Sequence, residues 1–162
     1  MLPINWKLIA ITISTLATLS GVVGVSYAKQ HKPGYVMVPA GSASFALLDP
    51  ENPQGLQQAI LWGDPKVGPV AFIMKFPKGR LPLHFHSSDY YGWVVEGKMK
   101  HWLPGKEAEA QENPPGSFWF QPGGANGVHD DECMSDTCKL YVIMTGKFDA
   151  IPVPSAQANE KK

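Results

Sequence analysis

The sequence predicts an all-β domain, a single small barrel or two-sheet roll of antiparallel strands, placed after an N-terminal export segment. Short runs rich in Val, Ile, Phe, Tyr and Trp alternate with turn residues along most of the chain, which is the pattern of closely spaced strands. With 16 Gly and 15 Pro in 162 residues, the chain is punctuated too often for long helices. No crossover helix is available to join parallel strands, so hairpins and an antiparallel sheet follow.

Residues 1–28 read as a signal peptide. Lys7 precedes an apolar run from Leu8 to Val25 that is interrupted only by Ser, Thr and Gly, and Ser26 and Ala28 are small residues at a cleavage site. The rival reading is a membrane anchor, because a spanning helix needs as few as about 17 residues. The small, polar composition of the run favours cleavage, which leaves no stable anchor and a periplasmic or secreted protein. No Cys stands at the cut, so lipid attachment there is excluded.

Residues 29–34 are then a flexible start, 35–149 the domain and 150–162 a flexible tail without core material. Tyr35 to Val38 is the first expected strand, and a looser piece at Phe45 to Leu48 leads into the turn Asp49-Pro50-Glu51-Asn52-Pro53. Gln57 to Trp62 and Val70 to Phe76 are strands joined by turn chemistry from Gly63 to Pro69. Leu83 to His86 is short and extended. Tyr91 to Glu96 and Lys98 to Leu103 flank Gly97, the expected corner of a tight hairpin. Glu107 to Glu112 lies between Pro104 and Pro114 and reads as a solvated loop; Ser117 to Phe120 and Leu140 to Thr145 are the last strands.

The charge balance is even, with 14 Lys and Arg against 14 Asp and Glu. Basic residues are scattered, so no nucleic acid is expected as partner. A small-molecule ligand is, and a homodimer is compatible with a domain of this size. Cys133 and Cys138 are the only cysteines. In an oxidising compartment they are expected to form a local disulfide, with metal ligation beside His129 as the rival.

His84 and His86 stand two positions apart on an extended segment and therefore point to one face, where both can reach a single metal ion. His129 is the third candidate imidazole; a surface histidine in an acidic loop is the alternative for it. His101 reads as an outward polar residue. Asp89 reads as a solvated or turn-capping acid. The pocket or the immediate surroundings of the metal are expected to include Tyr90, Trp93, Trp119 and Gln121, with direct ligation and a simple core role as the other options for Tyr90. Of the aromatics Phe72, Phe76, Tyr91, Trp93, Trp102, Phe118, Trp119 and Phe120, about half are expected to face the interior, as the pleat dictates.

The stretch Gly79 through His84, His86 and Gly97, followed by Gly116-Ser117-Phe118-Trp119-Phe120-Gln121-Pro122-Gly123-Gly124, resembles the two motifs of the cupin superfamily in order. Leu61-Trp62-Gly63-Asp64-Pro65, Phe76-Pro77-Lys78-Gly79 and Gly146-Lys147-Phe148-Asp149 are similar to an uncharacterised bacterial cupin-like family. The resemblance implies a cupin-like barrel, or jelly roll, and a metal held by histidines. Two positions depart from the motifs: Tyr90 stands in the glutamate slot, and His129 arrives two residues after the histidine slot at Gly127.

The reading is an exported, metal-binding cupin-like protein that acts on or binds a small organic ligand, with one divalent transition metal ion (Fe, Mn, Ni, Cu or Zn). As an enzyme it would be a metal-dependent oxygenase or isomerase. The alternative is a non-enzymatic binding or sensing cupin with a degenerate metal site. No nucleophile elbow or phosphate-cradling loop is present in the sequence.

Overall fold

A computed structural model of the protein describes residues 34–154; the expected signal segment and the far end of the tail lie outside the described residues. Among those described, no helix is long and apolar enough to cross a membrane. The strands are β1 (Ala46–Leu47), β2 (Gln57–Gly63), β3 (Val70–Arg80), β4 (His84–Phe85), β5 (Tyr90–Glu96), β6 (Met99–Trp102), β7 (Phe118–Gln121), β8 (Asp130–Met144) and β9 (Ile151–Pro152). Seven form one antiparallel sheet in the order β1-β2-β3-β8-β5-β7, with β6 also on β8, and β4 pairs with β9 apart from it.

This corrects the expected barrel: the sheet is not closed. Its path ends at β1, two residues long, and at β7, four residues long, and no ladder joins them. Closure needs edge strands long enough to exchange ladder hydrogen bonds. Here the turn after Leu47 cuts β1 short and Pro122-Gly123-Gly124 ends β7.

Two expected elements also differ. Tyr35 to Val38 forms no strand, and Tyr35 is 91% exposed, because no neighbouring strand offers it a ladder. β5 and β6 are not a hairpin, since both pair with β8, β5 along Lys139 to Met144 and β6 along Asp130 to Cys133. Gly97 makes the step between them at φ 76°, and a Cβ there would meet the Thr137 carbonyl oxygen at 2.5 Å, so only glycine fits.

The core lies on one face of the sheet. Val70, Phe72, Met74 and Phe76 alternate inward on β3 and meet Met144, Val142, Leu140 and Cys138 across the β8 ladder. Each fully buried large side chain contributes about 1.5–3 kcal/mol, and alternation puts the next residues on the other face. There Tyr91, Trp93, Phe118, Phe120 and Tyr141 form a row of touching rings.

β8 is extended by an excursion. Between the pairs Pro77–Thr137 and Gly79–Cys133 the register shifts, and the looped residues are closed off by the disulfide Cys133–Cys138. This clamp closes the excursion between the half of β8 that faces β5 and the half that bears Asp131. Replacing both cysteines by serine is expected to lower stability by about 2 kcal/mol, measured by urea unfolding, and thiol titration of the unfolded, unreduced protein should find no free thiol.

Candidate metal centre

Backbone pairing brings the histidines together. His84 N donates to His129 O at 3.1 Å and His129 N donates to His84 O at 2.9 Å, so the two residues form a hydrogen-bonded pair whose side chains share a face. The two-residue delay of His129 is absorbed by a single 3-10 turn, Ala125–Gly127. Gly127 packs so closely that a Cβ would fall 1.8 Å from the Pro122 carbonyl oxygen. His86 follows β4 in the same alternation as His84. The ring centroids are 4.4 Å apart for His84 and His129, 5.1 Å for His84 and His86, and 5.3 Å for His86 and His129.

All three rings are oriented in the same way. Nδ1 of His84 donates to Pro82 O at 2.8 Å, Nδ1 of His129 donates to Gly127 O at 2.8 Å, and Nδ1 of His86 donates to Asp149 O. A carbonyl can only accept, so each Nδ1 carries the proton and each Nε2 is the acceptor nitrogen, the one able to ligate. The three histidines have ring nitrogens within 4.8 Å of one another. Two nitrogens on one ion sit up to about 4.2 Å apart, so a small adjustment lets them share it.

A carboxylate adjoins the set. Asp131 is 5% exposed, and its Oδ2 lies 3.6 Å from His129 Nε2 and 3.9 Å from His84 Nε2. Its Oδ1 accepts from His101 Nδ1 at 2.8 Å. The other nitrogen of His101 meets Gln121 Oε1 at 3.0 Å, while Gln121 Nε2 donates to Gly127 O at 2.7 Å. Both nitrogens of His101 therefore face acceptors, and the ring is an imidazolium.

This chemistry decides between two possible clusters. His101, His129 and Asp131 also lie close enough to hold an ion, but His101 spends both nitrogens as donors. Burial pushes its pKa down, yet the charge and hydrogen bond of Asp131 outweigh that and raise it. Burial alone would raise Asp131; the charge and hydrogen bond of His101 outweigh it and hold the carboxyl below its usual range. Burial lowers His86, and it lowers His129 to about 3. Two neutral imidazoles thus stand ready to ligate beside a permanent carboxylate.

Tyr90 donates its hydroxyl to His129 Nε2 at 3.3 Å and accepts from Trp119 Nε1 at 3.0 Å. Burial, helped by Asp131, raises its pKa well above 10, so it is a phenol and a hydrogen-bond donor. Trp119 stacks on His101 with ring centroids 4.6 Å apart. Trp93 is not brought into the site: it lies on the outer face against Phe118 and Tyr141, because its odd position on β5 alternates away from Tyr90. Asp89 does not cap its own turn: its Oδ1 accepts from Gly123 N at 2.7 Å and ties the start of β5 to the end of β7.

Sequence reasoning missed Asp131 and placed His101 outward. The signals were present: Asp131 shares the parity of His129 and His101 shares that of buried Met99. A cavity of about 80 Å³ adjoins the cluster, reached by His84, His86, Tyr90 and Asp131.

The depressed His129 and His86 give a pH dependence to the metal-free protein. Below pH 6.5, the usual value for these rings, the unfolded chain takes up protons that the fold refuses. Stability therefore falls as pH drops from about 6.5 towards 3, by up to about 1.4 kcal/mol per pH unit for each proton. Urea midpoints between pH 7 and pH 4 should show this slope, and His129→Gln should flatten it.

Comparison with known proteins agrees with the fold. No curated protein matches the chain. Among solved structures, the polyketide cyclase RemF from Streptomyces resistomycificus is similar at 22% identity and TM-score 0.56, over 75% of this chain and 87% of that one. A protein of unknown function with a cupin-like fold from Ralstonia eutropha JMP134 reaches TM-score 0.59 at 18% identity, over 78% of this chain and 75% of that one. The DMSP lyase DddQ from Ruegeria pomeroyi reaches TM-score 0.52 at 16% identity, over 76% of this chain and 73% of that one. These likenesses carry the fold. The solved structures show a cupin-like fold, and the family described as a domain of unknown function, DUF4437, matches residues 50–162, so the chain belongs to that family.

Proposed function

We propose that the protein is an exported, metal-dependent cupin that holds one divalent transition metal ion, Fe, Mn, Ni, Cu or Zn, and acts on a small organic ligand in the adjoining cavity. His84, His86 and His129 would hold the ion through Nε2, with Asp131 Oδ2 as the fourth donor. The observation that carries this is the shared orientation of the three rings, each with Nδ1 tied to a backbone carbonyl. Three histidines fixed in one tautomer towards one point are the arrangement that metal ligands have.

When bound, the ion supplies Lewis-acid polarisation of a ligand oxygen. His101 keeps Asp131 ionised and aimed at the cluster, and Tyr90 holds a proton at its hydroxyl beside His129. The apolar cavity walls keep water away from a bound ligand, which strengthens every polar contact at that end. Two of the similar structures bear the names of enzymes, a cyclase and a lyase, and they support catalysis on this fold. A metal-dependent isomerase or oxygenase is the form that the donor set suits. A second reading, ligand binding without turnover, is favoured by one feature: no carboxylate or histidine in the cavity wall is free of the donor set to act as a base. Export is supported by residues 1–28 and by the Cys133–Cys138 bond, which persists in oxidising compartments.

Elemental analysis of the purified full chain should find close to one divalent metal per molecule, and the double variant His84→Ala, His86→Ala only a trace; the same trace in both would end the metal reading. His101→Leu leaves all four donors but frees Asp131. It is expected to weaken metal affinity by about 10–100-fold, read by competition with a chelator.

A further inference from the structure

The geometry points to a ligand class: a small, uncharged, largely apolar molecule, on the scale of a single ring, that offers one oxygen to the metal end and nothing ionic at the other. This rests on the metal reading above and adds selectivity by charge. The cavity measures about 80 Å³, well under the ~300–1,000 Å³ of pockets for drug-sized ligands, so the molecule is small.

The wall is divided. His84, His86, Tyr90 and Asp131 are its polar members, and they gather at the cluster, whereas the rest is Leu, Met, Val, Ala and Phe. Phe72 and Met74 come from β3, Leu140 and Val142 from β8, and Phe148 closes over them from the segment after β8, with its ring 5.2 Å from Phe72. Among the described residues no lysine or arginine lines the cavity, so a ligand carboxylate or phosphate at the apolar end would find no cation there. Among the described residues Asp131 is the one carboxylate in the wall, and it is already paired with His101, so an ammonium group would find no free anion. A charge buried without a partner is strongly disfavoured. The same face that makes the core thus rejects ionic ligands.

The segment carrying Phe148 also links the ligand space to the ligand set. Asp149 accepts from His86 Nδ1 through its backbone oxygen and from Ser87 N at 2.8 Å through its side chain. Asp149, between the wall residues Phe148 and Ala150, therefore orients one of the three imidazoles.

The test uses three phenols with the same ring and oxygen and a different far end: p-cresol, 4-hydroxybenzoate and tyramine. Thermal unfolding of the metal-loaded full chain is followed against each. p-Cresol is expected to raise Tm at about tenfold lower concentration than either charged analogue. Equal response to a charged analogue, or none to p-cresol, overturns the proposal. Leu48 lies at the rim of the cavity and is 39% exposed, so Leu48→Lys brings in a cation at little cost to folding. In that variant 4-hydroxybenzoate should gain about tenfold on p-cresol, and an unchanged ranking would place binding outside the cavity and overturn the proposal. Metal content measured on the same samples separates the two claims: absence of metal with the ranking intact sinks the metal reading and leaves the charge selectivity standing.

Discussion

Asp131 carries a negative charge where water scarcely reaches, and the arrangement of three strands, β4, β6 and β8, follows from having to meet that charge. His101 arrives from β6, directly across the ladder from Asp131, and supplies the counter-charge through a hydrogen bond of 2.8 Å. His129 enters from just before β8, and β4 brings His84 opposite His129. Removing one partner of such a buried pair costs about 3–5 kcal/mol, because the other charge is left without compensation. The pair is thus a weak source of net stability and a strong constraint on position. It holds the carboxylate at one place and in one ionisation state.

β8 is the strand on which this constraint acts. Its first residues face β6 and its last face β5, while β3 runs along its other side for nearly its full length. Two demands meet on it, since the C-terminal half must bury Leu140, Val142 and Met144 in the core and the N-terminal half must aim Asp131 at the histidines. The excursion closed by Cys133–Cys138 lies between the halves. An added residue in one strand re-aims everything beyond it, and a cross-link around that excursion makes the change of aim permanent. Because β8 connects core and site, the sheet can stay open at its edges while the cluster remains rigid.

The legibility of the sequence follows the same division. Alternating apolar residues at Val70 to Phe76 and Leu140 to Thr145 showed where strands lie, and His84 with His86 showed one face bearing two imidazoles. What it hid was non-local pairing. Gly97 carries hairpin chemistry, but its neighbours are partnered by β8, some forty residues away in the chain, and no local signal records that choice. Closure of the sheet was equally hidden, because it depends on edge strands too short to leave a pattern. Trp93 was misjudged for a simpler reason: parity from Tyr90 puts it on the outer face, and aromatic character alone does not say which face a residue takes.

The replaced glutamate is the most informative departure. With Tyr90 in that slot, the acid returns on β8 at Asp131, two residues beyond His129 and on the same face. A phenol is well suited to the vacated position, since burial keeps it protonated and it bridges Trp119 Nε1 and His129 Nε2. A second carboxylate there would have faced Asp131 across the cluster, and two like charges in one buried site cannot both ionise at ordinary pH. Moving the acid to β8 also places it against His101, a partner that the glutamate slot on β5 does not adjoin. The altered motif therefore reads as a relocated acid: the charge, the imidazolium that sustains it and the late histidine all lie in one cluster.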